Sequence, residues 1–110
     1  MENTGPVVVV ATFVPRPQAK EKVEAAVLRA VTSTHKGDEG CELYAAHEDA
    51  HDSDNIVVIE KWSSAEALRA HGSGEAFSVL TAEVAELLAE PLGVAILRPL
   101  PAGEDKLGTL

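Results

Sequence analysis

Between positions 60 and 71 stand the side chains best suited to chemistry in this sequence: Glu60, Trp62 and His71. An imidazole can accept or pass a proton near neutral pH, so His71 is the first candidate for a general base. The plainer reading is a helix-end histidine facing water or capping carbonyls before Gly72. Trp62, the sole tryptophan, serves either as a core anchor between strand and helix or as a wall on which an aromatic ligand stacks. Glu60 shares its strand face, and is either a hydrogen-bonded structural carboxylate or a pocket acid. Phe13, Tyr44, Asn55 and Phe77 could line the same pocket, although each also suits a core, strand or turn position. The string His47-Glu48-Asp49-Ala50-His51 matches H-E-x-x-H literally, but that zinc pattern works only on a helix, where the two imidazoles share one face. Here it runs into the polar turn His51-Asp52-Ser53-Asp54, so no metal site is expected. Cys41 reads as a small buried hydrophobe. Gly72-Ser73-Gly74 lacks the flanks of a nucleophile elbow or a phosphate loop, and the chain carries no flavin, nicotinamide or haem-attachment motif.

These side chains need a strand and a helix to position them. Ile56-Val57-Val58-Ile59 is an uninterrupted β-branched run, expected to be a strand apolar on both faces. Its parity sets Ile56, Val58, Glu60 and Trp62 on one face, and Val57, Ile59 and Lys61 on the other. Ser63 followed by Glu66 resembles a capping box and predicts a helix opening just after Trp62. That helix should carry His71 about two turns onward before the glycine-rich break. An indole at a strand end, an imidazole and a kink would together rim a pocket.

The rest of the chain falls into the same alternation. Residues 1–5 read as a polar tail and 6–14 as a valine-rich strand. Pro15-Arg16-Pro17 stops that strand, with Pro17 suited to the first turn of a helix. From about Gln18 to His35, residues Val23, Ala26, Val27, Ala30 and Val31 recur at helical spacing. Gly37-Asp38-Glu39-Gly40 turns the chain into a second strand from Cys41 to about Glu48. After the glycine break, Phe77, Leu80, Val84, Leu87 and Leu88 form another helical stripe, expected to end at Glu90-Pro91. Gly93 to Leu97 gives a fourth strand, and residues 101–110 are read as a polar tail outside a domain at 1–100.

The chain has 110 residues, enough for one domain with a modest core. Its net charge of −9 disfavours nucleic acid and anionic membranes as partners. One cysteine permits no internal disulfide and suits a reducing compartment. The apolar stretch near the start is too short to span a bilayer, so a soluble cytoplasmic protein is expected.

The order β-α-β-β-α-β is that of an α+β, ferredoxin-like split βαβ fold, an antiparallel sheet with both helices on one face. Helices cover one face only, yet the first and third strands are apolar on both. A second copy packed sheet to sheet about a two-fold axis would bury the other face.

The residues Glu60, Trp62, Ser64, Glu66, Ala67, Leu68, Ala70, His71 and Phe77 follow the pattern E-x-W-x-S-x-E-A-L-x-A-H…F. With Gly40-Cys41, Tyr44 and Glu90-Pro91, that pattern resembles the antibiotic biosynthesis monooxygenase family from about Val7 to Leu100. The resemblance implies a homodimeric α+β barrel and a monooxygenase, without metal or cofactor, that oxidises a quinol or polycyclic phenol with dioxygen. It implies His71 as base or proton shuttle and Trp62, Phe77 and Tyr44 as pocket walls, with Asn55 nearby. It departs from the family at Ala76, where a histidine is frequent, and at Thr34–Cys41, which is one residue longer with His35 in place of arginine. Two alternatives stand beside it. One is a haem-degrading relative with His71 or His47 as axial ligand; the other is a dimer of the same fold that binds a small molecule without turnover.

Overall fold

A computed structural model describes residues 5–110; most of the tail expected at 1–5 therefore lies outside the described residues. The elements are β1 (Val7–Phe13), α1 (Lys20–Gly37), β2 (Cys41–Glu48), β3 (Ile56–Trp62), α2 (Ala65–Gly72), α3 (Glu75–Val84), β4 (Gly93–Leu97) and α4 (Asp105–Gly108). The four strands form one antiparallel sheet in the order β2-β3-β1-β4, the ferredoxin-like arrangement that the alternation implies.

Strand parity decides which face is the core. Val7, Val9, Ala11 and Phe13 stand opposite Trp62, Glu60, Val58 and Ile56, and all eight are buried. Against them pack Val23, Ala26, Val27 and Ala30 of α1 with Leu80 and Val84 of α3. Each fully buried valine or leucine contributes about 1.5–3 kcal/mol of transfer free energy, so this single layer holds the monomer together. On the opposite face Val10, Val57 and Ile59 are only half-buried. The helices also stop short of the edge strand: Val94 and Ile96 of β4 pair with Ala11 and Val9 yet remain 55% and 62% exposed.

Several element ends differ from expectation, each for a local reason. Gln18 takes a positive φ of 70°, so α1 opens at Lys20 and Pro17 lies before its first turn. The cap of α2 is Ser64, whose hydroxyl accepts from the Ala67 N–H at 3.1 Å. Ser63 is engaged elsewhere, its N–H donating to the Gly40 carbonyl at 2.8 Å. Helix α3 ends at Val84, before the expected Glu90-Pro91, because the chain turns back to β1: Arg16 N–H donates to Leu87 O and Ala89 N–H to Val14 O. Residues 101–110, read as a plain tail, include α4, and the Lys61 ammonium donates to the Leu110 carbonyl at 2.6 Å.

Gly40 couples the α1–β2 turn to α2. Its φ is +84°, and a Cβ there would meet Ala67 Cβ at 2.5 Å and Ser63 Oγ at 2.8 Å. Gly40→Ala should therefore lower stability by about 1–3 kcal/mol through overpacking and backbone strain, measured by urea unfolding. An unchanged midpoint would mean that the turn and helix can separate freely.

Candidate active site

The site is assembled at one end of β3. Trp62 closes that strand fully buried, beside Cys41 on one side and Val7 on the other. The Cys41–Trp62 pairing brings the preceding turn close: Asp38 is the C-cap of α1 and its carbonyl accepts from Cys41 N–H. Helix α2 then leaves Trp62 and carries His71 in its last turn, back toward the same turn.

The outcome is a pair that no local motif announces. His71 Nδ1 lies 2.6 Å from Asp38 Oδ2, with the imidazole 4% and the carboxyl side chain 16% exposed. A carboxylate at that distance selects the tautomer whose Nδ1–H donates to it, leaving Nε2 as the other nitrogen. Three aromatic rings surround the imidazole. Trp62 lies at 4.6 Å between centroids, Tyr44 at 5.4 Å and Phe77 at 5.5 Å. Tyr44 and Trp62 meet edge-on at 6.3 Å. Phe77 alone of the three is half-buried; Tyr44 and Trp62 are buried.

Glu60 completes the cluster. It is 4% exposed, and the Trp62 indole N–H donates to its Oε1 at 2.9 Å. Burial pushes its carboxyl up from the ordinary 4.5, opposed in part by the indole hydrogen bond and by His71. A raised carboxylate makes the fold bind a proton more tightly than the unfolded chain. Its favourable contribution is full below pH 4.5 and is lost as pH rises through the folded-state value. Glu60→Gln keeps an acceptor for the indole and removes that dependence. The variant should therefore gain on wild type as pH rises above 4.5, read from thermal midpoints across a pH series. A constant difference would show that Glu60 titrates alike in both states.

Burial likewise pushes the Tyr44 phenol up, with Glu60 adding to the effect, which suits Tyr44 to donating a hydrogen bond rather than accepting a proton. Thr34 Oγ1 is buried near that phenol but makes no well-formed hydrogen bond, so the two share a polar contact rather than a bond. The Cys41 thiol is pushed up by burial, away from the range of a reactive thiolate.

Of the residues singled out from sequence, His71, Trp62, Tyr44 and Phe77 come together. Asn55 does not join them within one chain. It begins the approach to β3 at the opposite end from Trp62, about 23 Å away at strand rise, and closes the hairpin through Asn55 N–H to Asp52 O and Asp49 N–H to Asn55 O. His47 is an exposed strand residue bonded to the Val57 carbonyl, and His51 lies in the hairpin, so the H-E-x-x-H string lacks its helix. Among the described residues, no group of three or more His, Cys, Asp or Glu is placed to hold a metal ion. Nor is any helix among them long and apolar enough to cross a membrane. A groove of about 600 Å³ between α1 and α3 includes Asp38 in its lining, but not His71 or Trp62.

Asp38 was the residue that sequence reasoning missed. The signal was indirect: a turn three residues before the partner of Trp62, visible only once the β2–β3 register is known.

The profile of the antibiotic biosynthesis monooxygenase family matches residues 6–88. The chain belongs to that family. Rv0793 of Mycobacterium tuberculosis, a candidate monooxygenase by name, is 36% identical over 97 residues, spanning 88% of this chain and 94% of its own. Its structure superposes with a TM-score of 0.82 at 33% identity, covering 91% of this chain and all of that one. Protein PA3566 of Pseudomonas aeruginosa gives a TM-score of 0.77 at 28% identity, over 91% and 99% of the two chains. A family protein from Caulobacter crescentus shares the fold, with a TM-score of 0.82 at 23% identity over 88% and 92%. The matched span of this family member includes every part of the Asp38–His71 cluster, whereas β4 lies beyond it.

Proposed function

We propose that this chain is a cofactor-independent monooxygenase that oxidises a quinol or polycyclic phenol with dioxygen, with His71 as proton acceptor. The observation that carries the reading is the Asp38–His71 pair enclosed by Trp62, Tyr44 and Phe77. An electron-rich phenol, once deprotonated, can itself reduce dioxygen, so the protein need supply only a base and a dry, apolar enclosure. Asp38 would fix the imidazole's tautomer and stabilise the imidazolium formed when Nε2 takes the proton. The three rings offer faces for an aromatic substrate. Phe77, half-buried and just beyond the Gly72-Ser73-Gly74 break, is the ring whose displacement would admit one.

The working unit in this reading is a homodimer. The half-buried face bearing Val10, Val57 and Ile59 supports a second copy packed against it, because apolar sheet faces of that kind mark interfaces.

The test is incubation with an anthrone or a quinol, with and without air. Oxygen uptake and oxidised product should appear together, and only aerobically. Binding without uptake would leave a small-molecule-binding dimer, and a Soret band on titration with haemin would point instead to haem degradation.

A further inference from the structure

Proton transfer to His71 uses one side of the imidazole and gives no part to the buried carboxyl beside it. Glu60 sits on the strand face beneath Trp62, 4% exposed, with one oxygen accepting from the indole N–H at 2.9 Å. The indole it holds is the ring packed nearest His71, at 4.6 Å. A carboxyl placed only to orient Trp62 would do so equally well from a wetter position, where ionisation costs less. Two acids therefore flank this histidine in unlike surroundings. Asp38 is hydrogen-bonded to the imidazole and borders an open groove. Glu60 is shut inside with the indole. Such a divergence of environment around one site is how acid and base duties are divided.

We propose that Glu60 is the proton donor that completes oxygen transfer, acting on the peroxide formed after His71 has taken the substrate's proton. The proposal rests on the monooxygenase reading and extends it. In the first step the phenol proton passes to His71. The electron-rich carbon of the resulting anion then forms a C–O bond to dioxygen, leaving a peroxide anion on a carbon that still carries hydrogen. Glu60 gives its proton to the terminal oxygen. Loss of the remaining hydrogen as a proton forms the C=O bond, breaks the O–O bond and expels hydroxide, which that proton converts to water. The substrate has given four electrons and dioxygen has accepted four. The proton held by His71 returns to Glu60, which restores both groups.

Glu60→Gln tests this step, because the amide oxygen still accepts from the indole while the acidic proton is gone. With an anthrone or quinol, turnover should fall about 10²-fold with KM little changed. The adduct, left unprotonated, should break its C–O bond to give a substrate radical and superoxide; superoxide dismutates with solvent protons, so hydrogen peroxide released per dioxygen consumed should rise. A residue that merely orients Trp62 would leave that ratio unmoved. A thermal midpoint at or above that of wild type shows that the variant folds. Infrared difference spectra of the two proteins at neutral pH should show the C=O stretch of a protonated carboxyl present only in wild type. Absence of that band, or turnover and peroxide release equal to wild type, overturns the assignment to Glu60 while leaving the monooxygenase reading intact. No oxygen uptake by wild type with either substrate class removes that reading and this one together.

Discussion

Replacing His71 by alanine should lower quinol turnover by about 10²–10⁴-fold, the range expected for a positioned acid–base group. The loss should fall on kcat more than on KM, because the imidazole accepts a proton in the transition state and contributes little to ground-state binding. His71→Ala also frees Asp38, whose partner at 2.6 Å disappears, and leaves space beside Trp62. Folding must therefore be confirmed alongside activity, since large-to-small changes in a core typically cost a few kcal/mol. Trp62→Phe keeps an aromatic wall and removes the indole donor to Glu60, so it should weaken substrate binding or stability and also release that carboxyl from its indole partner. Equal turnover in His71→Ala would reduce that histidine to a structural role.

The second large effect concerns assembly. Val10 and Ile59 face each other across the β1–β3 ladder on the side away from the helices, both half-buried. Val10→Asp with Ile59→Asp would set two like charges side by side on that face. Burying them against a second copy would cost several kcal/mol per charge, so the variant should run as a monomer or fail to fold. Wild type should run as a dimer at micromolar concentration by light scattering. A wild type that is cleanly monomeric there would mean that the sheet face is simply tolerated in water.

Strand parity carried most of what could be read in advance. The run from Ile56 to Trp62 alternates buried and half-buried as its pattern implies, because sidedness in a strand is fixed by the backbone itself. Helix stripes were legible for the same reason: Val23, Ala26, Val27 and Ala30 point inward, and so do Leu80 and Val84. Ends were less legible, since they depend on partners far along the chain. Ser63 and Ser64 look alike as caps, and the path of the chain decides between them: Ser63 N–H is tied to the Gly40 carbonyl, while the Ser64 hydroxyl meets Ala67 N–H. The end of α3 is set by backbone groups of Val14 and Arg16, which nothing in the helix sequence encodes. Asp38 illustrates the same limit at the site. Its turn and the helix bearing His71 are each readable locally, but their meeting follows from the register of β2 on β3. Val94 and Ile96 belong to the fourth strand expected at Gly93 to Leu97, and their exposure reflects how far the helix layer reaches, a property of packing rather than of pattern.

If oxygen passes from dioxygen to a phenolic substrate through this protein's own side chains, isotope labelling will follow it. The most direct test incubates chelator-treated protein, without added flavin or metal, with a quinol under heavy-isotope dioxygen. Mass spectrometry then follows the product. One heavy oxygen atom should be incorporated per molecule oxidised, at a rate that collapses in His71→Ala. Product carrying no heavy oxygen, or oxidation that appears only when flavin or metal is restored, would contradict that transfer.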